Sequence, residues 1–142
     1  MRKPFTLVAI FMLASLVPQH VAAENIADEA FVGVWKNPRN SVHVRTYACG
    51  KSLCGAVVWA TDDQQSAARE AGTGQLIGKH MFSEFVLGKD RVWRGKVFVP
   101  KQNKFFPGTV TTVDANTMQV RGCALGGLIC KTQTWTRMKA AS

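Results

Sequence analysis

With 142 residues, 46% of them hydrophobic, the chain has material for one hydrophobic core and shows no linker that would split it. Its formal net charge of +9 favours solubility and anionic partners, such as anionic components of a cell envelope, but it does not specify a fold. The basic residues are spread along the chain without a concentrated patch, which argues against a nucleic-acid-binding protein.

The chain begins with the three parts of a secretory signal peptide, MRKPFTLVAIFMLASLVPQHVAA. Arg2 and Lys3 form a cationic start, residues 5–17 are apolar, and residues 21–23 offer a cleavage signal. The apolar stretch is shorter than the ~20 residues that span a bilayer, and no second one follows. We therefore predict a signal peptide at 1–23, a mature single domain at 24–142 without a transmembrane segment, and export, with the bacterial periplasm as the expected compartment and secretion from the cell as the alternative.

The mature sequence contains short β-rich segments at regular spacing, separated by turn signals, and this pattern is typical of an all-β domain. The predicted strands are 31–35, 42–48, 53–60, 82–87, 92–99, 105–113, 117–125 and 128–138. After the third strand, QQSAAREA predicts a short helix, with Asp62-Asp63 in the capping position and Gly72 as its stop.

Eight strands joined by short hairpins favour an antiparallel up-and-down β-barrel, because closing the sheet removes its exposed edges. A β-sandwich is the alternative architecture. The longer insertion at 61–80, which carries the helix, is expected to lie over one mouth of the barrel.

Four cysteines follow the predicted leader, in CGKSLC and CALGGLIC. The spacings C-x4-C and C-x6-C fit neither a zinc site nor a C-x-x-C redox motif, and export favours disulfides. A turn centred on Gly126-Gly127 places Cys123 opposite Cys130, and a turn centred on Lys51-Ser52 places Cys49 opposite Cys54. We predict these two local disulfides, because an up-and-down barrel puts the two hairpins at opposite ends.

Strand alternation divides the remaining side chains between the two faces of the sheet. The faces that carry the cysteines are the more polar ones, so the opposite faces are predicted to line the barrel. The resulting candidates for a ligand-binding lumen are Trp59, Trp93, Val97, Phe105, Val120 and Gln133. This lining is mostly apolar and aromatic, as small-molecule pockets are.

The titratable residues do not form a catalytic constellation. His43 is expected on the outer face, His80 in the insertion, and Glu84 facing outward from its strand. Asp62-Asp63 is better explained as a helix cap than as a carboxylate pair. We therefore predict no enzyme activity, no cofactor and no metal site.

Two motifs resemble the G-x-W and late arginine of the lipocalin-like (calycin) barrels: Gly33-Val34-Trp35 and Arg137. The resemblance implies that Trp35 lies at the closed end and that Arg137 packs across its ring, a cation–π contact. The order GVW, YACGKSLCGAVVW, IGKHMFSEF, VWRGKVFVP, VRGC and TQTWTR is also similar to an exported bacterial family, domain of unknown function twenty-one forty-seven. That resemblance covers nearly the whole mature chain and implies a lipocalin-like barrel, but it names no activity.

The function that these observations favour is non-catalytic binding of a small apolar or amphipathic ligand. Arg137 and Gln133 share a predicted inward face, so a carboxylate or phosphate head is expected to bind the unused donors of Arg137. The alternative is an envelope interaction protein with a filled barrel and a basic surface.

Overall fold

The computed structural model describes residues 29–139, and the predicted signal peptide at 1–23 lies outside this part of the chain. The eight strands are β1 (Gly33–Lys36), β2 (Val42–Cys49), β3 (Ser52–Ala60), β4 (His80–Leu87), β5 (Trp93–Val99), β6 (Lys104–Asp114), β7 (Thr117–Ala124) and β8 (Ile129–Arg137). Each strand pairs antiparallel with the next, and β8 pairs with β1. The predicted up-and-down barrel is confirmed, and the β-sandwich is excluded because the sheet closes on itself.

The helix α1 (Asp62–Glu70) lies in the insertion after β3, as predicted. Its N-cap is Thr61, whose side chain accepts a hydrogen bond from the Gln64 amide, so the expected cap by an aspartate is wrong by one residue. Asp62 and Asp63 occupy the first turn instead, where negative charge favours the helix dipole. Gly72, with φ +83°, follows the helix end.

The β7–β8 hairpin has the predicted register, with Cys123 opposite Cys130 and a disulfide between them. Gly126 and Gly127 form the centre of the turn, and both have positive φ, as the favoured two-residue hairpin turn requires. The turn is closed by a 3.3 Å hydrogen bond from the Leu128 amide to the Leu125 carbonyl.

The β2–β3 hairpin turns one residue earlier than expected. Cys49 pairs with Ser52 and Cys54 with Tyr47, because Gly50 supplies the left-handed backbone, φ +64°, that the turn needs. Cys49 and Cys54 are still joined by a disulfide across this diagonal, with Cα atoms 5.9 Å apart.

We expect alkylation of the protein without reductant to add no mass to these four cysteines, because both disulfides are formed. Digestion under non-reducing conditions should give one peptide pair joined through Cys49 and Cys54 and another joined through Cys123 and Cys130. A peptide linking Cys49 to Cys123 would contradict the strand order, since the two hairpins lie at opposite ends of the barrel.

One end of the barrel is closed by residues at the start of β1 and the end of β8. Phe31 is fully buried, with its ring centroid 5.6 Å from that of Trp93. The Nε1 atom of Trp35 donates to the carbonyl of Phe31 at 2.9 Å, and Thr46 donates to the same oxygen. Phe31 therefore fills this end of the barrel. The sequence predicted it as the first residue of β1, but β1 begins at Gly33.

Arg137 completes the closed end. Its guanidinium lies 4.2 Å above the Trp35 ring and donates to the carbonyls of Val32, Ala30 and Ala115 at 2.6 to 2.7 Å. An added Cβ on Gly33 would lie 2.2 Å from its Nη1 atom, so the glycine of the G-x-W motif makes room for the arginine. The β1–β8 pairing beside it is only two residue pairs long, Trp35 with Arg137 and Lys36 with Thr136.

Candidate functional site

A cavity of about 520 Å³ opens at the other end of the barrel. The turns between β1 and β2, β5 and β6, and β7 and β8 surround its mouth, because alternate hairpins of an up-and-down barrel share an end. Its volume lies within the roughly 300–1,000 Å³ typical of small-molecule sites. The half of the barrel nearer the closed end is filled by buried side chains, including Phe85, Trp93, Val110 and Met118. The barrel is therefore packed at one end and open at the other.

Aromatic side chains form the base of the cavity. The rings of Phe82 and Trp135, both buried, meet edge to face with centroids 5.7 Å apart, and Phe106 adds a third aromatic wall. Gln133 is the polar residue beside this base, and its Oε1 accepts a 3.1 Å hydrogen bond from Trp135 Nε1. With its oxygen engaged, Gln133 has its amide N–H groups to offer a ligand.

The rim of the cavity is cationic. Arg39 comes from the β1–β2 turn, Lys101 from a 3₁₀ turn after β5, and Lys131 from β8, and all three are exposed. No Asp or Glu of the described chain lines the cavity. We call Arg39, Lys101 and Lys131 the cationic rim; its field favours an anionic group at the mouth.

Local hydrogen bonds hold these turns in place. In the β1–β2 turn, Asn37 Oδ1 accepts from the amides of Ser41 and Val42 at 2.8 and 3.1 Å. The 3₁₀ turn (Pro100–Gln102) begins with a proline and ends at Asn103 in the left-handed conformation, φ 50°. Arg39 and Lys101 are thus presented by ordered turns, and Lys131 by strand β8.

The insertion lies beside the mouth and packs against the 3₁₀ turn. Thr73 Oγ1 donates to the Pro100 carbonyl at 2.7 Å, and Asn103 Nδ2 donates to the Gly72 carbonyl at 3.3 Å. Of its helix, only Gln64 reaches the cavity wall. The insertion therefore supports the edge of the mouth and does not lie over it, contrary to the expectation from the sequence.

The six predicted lumen residues lie in three places: the cavity wall, the packed half of the barrel and the outer surface. Val97, Val120 and Gln133 meet on the cavity wall. Trp93 points inward but lies in the packed half, against Phe31, and does not line the cavity.

The prediction that Trp59 and Phe105 line the lumen is wrong, because both lie on the outer surface. A register shift between His43 and Val44 turns Trp59 outward, where it is 43% exposed and its ring packs at a tilt against that of His43, with centroids 4.4 Å apart. Phe105 is 50% exposed, and its neighbour Phe106 points into the cavity instead. Adjacent residues on a strand face opposite sides, so the prediction chose the wrong member of the pair.

The expected anion site at Arg137 is also wrong. Arg137 lies at the closed end, away from the cavity, and Trp35 and three backbone carbonyls occupy its guanidinium. The basic residues that line the cavity are those of the cationic rim, which strand patterns did not reveal. The predicted strand order did contain the signal, since it brings the β1–β2, β5–β6 and β7–β8 turns to one end.

The remaining polar candidates lie outside the cavity. His43 Nε2 lies 2.7 Å from Asn40 Oδ1, and partial burial, followed by the charge of Lys36, lowers the pKa of His43. His80 Nε2 lies 3.0 Å from the Tyr47 hydroxyl. Glu84 faces outward and pairs with Lys96 at 2.7 Å. Within residues 29–139, His, Cys, Asp and Glu side chains form no cluster of three that could hold a metal ion.

Residues 33–137 match the sequence profile of a family described as "Uncharacterized protein conserved in bacteria (DUF2147)". The chain belongs to this family. The match spans the barrel of this DUF2147 protein from β1 to β8. Of the barrel residues named above, Ala30, Phe31 and Val32 precede the match, and the others lie within it.

A solved structure supports the fold of this DUF2147 protein. Protein HP1028 from Helicobacter pylori, described as belonging to the lipocalin family, superposes with a TM-score of 0.56 and 15% sequence identity, over 77% of this chain and 83% of that one. At this identity the likeness shows a lipocalin-like fold and nothing finer. No curated protein matches the chain. None of the helices within residues 29–139 is long and apolar enough to cross a membrane.

Proposed function

We propose that this DUF2147 protein is an exported binding protein that holds one small amphipathic ligand in the open half of its barrel. The apolar part of the ligand lies against Phe82, Phe106 and Trp135, and an anionic head lies at the cationic rim. The observation that carries this proposal is the combination in one cavity of an aromatic base, a cationic rim and no acidic lining. The two disulfides support export, because such bonds persist in oxidising compartments.

The two parts of the cavity contribute differently to binding. Burying an alkyl chain gains about 0.8 kcal/mol per CH₂ group, so an eight-carbon chain gains roughly 6 kcal/mol before the entropic cost of association. An exposed ion pair at the rim adds at most about 1 kcal/mol. The apolar chain therefore sets the affinity, and the rim sets the orientation and the preference for anions. The alternative of a filled barrel disagrees with the open cavity.

Tryptophan fluorescence tests the proposal. Trp135 lies at the cavity base, so titration with decanoate or decanol should change its emission saturably, while Trp59→Phe removes the signal of the exposed tryptophan. Decanoate should bind several-fold tighter than decanol at low salt, and the difference should shrink at high salt. If neither compound changes the emission below its aggregation concentration, and native mass spectra show only the bare chain, the proposal is wrong.

Charge variants separate the rim from the apolar wall. Lys101→Gln with Lys131→Gln should bring the affinity for decanoate close to that for decanol, and leave the affinity for decanol unchanged. Lys51→Gln, at the exposed β2–β3 turn on the opposite end, is the matched control and should leave the decanoate preference intact. Equal losses from Lys51→Gln and the rim variants would show that net charge, and not the rim, attracts the anion.

A further inference from the structure

The β7–β8 turn exposes three large aliphatic side chains beside the cavity mouth. Leu125 is 69% exposed, Leu128 85% and Ile129 54%, and we call these three residues the apolar tip. The other two turns at the mouth expose no large aliphatic side chain; their exposed residues are Pro38, Arg39 and Asn40 in one turn and Lys101, Gln102 and Asn103 in the other. Ile129 also lines the cavity, so the apolar tip continues the cavity wall outward.

The hairpin holds the apolar tip in a fixed shape. The strand pairing continues to Ala124 and Ile129, and the disulfide between Cys123 and Cys130 lies one residue pair below. Leu125 has φ 51°, a left-handed conformation that ordinary turns give to glycine, asparagine or aspartate. This rigid turn therefore displays leucine at positions where a solvated hairpin would carry polar residues.

Positive charge lies just below the apolar tip. Lys131 is three residues beyond Leu128, a distance of roughly 10 Å along a strand. Apolar groups that enter a membrane interface reach roughly 5–10 Å, to the boundary between headgroups and acyl chains, and leave lysine or arginine among the headgroups. Arg39 and Lys101 also line the cavity, so the positive charge surrounds its mouth.

We propose that the apolar tip docks the protein on an anionic lipid bilayer, so that the cavity mouth faces the membrane and the cationic rim contacts anionic headgroups. Three side chains on one turn are too small for a stable protein–protein interface, which buries roughly 1,200–2,000 Å² in total. They suffice for interfacial insertion, where the acyl chains surround each side chain and basic residues add to the binding. Docking does not require an occupied cavity, so this inference goes beyond the proposed function.

Co-sedimentation with vesicles tests the inference directly. The mature protein should bind vesicles of phosphatidylglycerol and phosphatidylcholine, bind pure phosphatidylcholine much more weakly, and release as salt rises. Leu128→Gln should weaken the binding to anionic vesicles about tenfold, because the most exposed apolar side chain no longer enters the interface. Its thermal unfolding should match that of the parent protein, because Leu128 is 85% exposed.

Matched variants at the opposite end of the barrel provide controls. Val113 is 57% exposed near the β6–β7 turn, and Val113→Gln should leave vesicle binding unchanged. Lys131→Gln should weaken binding several-fold, and Lys89→Gln, at the β4–β5 turn, should not. The Leu128→Trp variant should still bind anionic vesicles. Brominated lipid chains should quench the fluorescence that this substitution adds.

Several outcomes overturn the inference. The protein does not dock through the apolar tip if anionic vesicles fail to bind it at low salt, or if Leu128→Gln binds as well as the parent. Equal losses from Leu128→Gln and Val113→Gln, or no quenching of the tip tryptophan, also contradict it.

Discussion

Replacing Arg137 by alanine is expected to lower the free energy of unfolding by about 3 kcal/mol. The substitution removes the cation–π contact with Trp35 and leaves the carbonyls of Ala30, Val32 and Ala115 without their donor. Urea unfolding followed by circular dichroism measures the change. Arg45→Ala, an exposed arginine on β2, is the control and should change stability by less than about 0.5 kcal/mol.

A double-mutant cycle shows whether the stabilisation comes from the closed end. Gly33→Ala alone should be strongly destabilising, because its Cβ would lie 2.2 Å from Nη1 of Arg137. Its cost should fall in the Arg137→Ala background, where only the penalty for a φ of +152° remains. Additive costs would mean that the glycine and the arginine act independently.

Gly122→Leu is expected to reduce decanoate and decanol affinity at least tenfold while leaving stability unchanged. Gly122 lines the cavity, and a Cβ added there meets no atom within 4 Å, so a side chain would grow into the cavity. The leucine occupies the volume that an alkyl chain would fill, and each displaced CH₂ group removes about 0.8 kcal/mol of binding. The fluorescence titration measures the loss.

The neighbouring position supplies the control for this cavity-filling variant. Arg121 is exposed on the outer face of the same strand, so Arg121→Leu adds the same side chain outside the barrel. It should bind both ligands as the parent protein does. If Gly122→Leu also binds normally, the ligand site is elsewhere and the cavity has no part in it.

The sequence predicted the strand order and the inner face of β8 because regular alternation persists there, with Gln133 and Trp135 facing the cavity. Alternation failed on β3, where a register shift opposite His43 exposes Trp59. On β6, the alternation of apolar and polar residues could not show which of Phe105 and Phe106 faces inward. Two adjacent aromatic residues fit an inward-facing position equally well.

The cationic rim and the apolar tip were missed for a different reason. Apart from Ile129 and Lys131 on β8, their residues lie in turns, where neither helical nor strand periods apply. The sequence predicts strand ends at Leu125 and Leu128, because nothing in the residue types marks Leu125 as adopting φ 51° or either leucine as exposed. The predicted strand order does bring Arg39, Lys101 and Lys131 to one end of the barrel. That order is the signal in the sequence from which the cationic rim can be found.

The short pairing between β1 and β8 makes this edge the weakest part of the closed sheet. β7 and β8 share eight residue pairs, whereas β1 and β8 share two. Arg137 reinforces that edge by hydrogen bonds to Val32 and Ala30, residues 105 and 107 positions away in the sequence. Contacts this distant form late in folding, because loop closure must come first. Amide hydrogens of β1 should therefore exchange with solvent through local opening, and faster than those of β6 and β7. Arg137 is the side chain that limits how often β1 separates from β8.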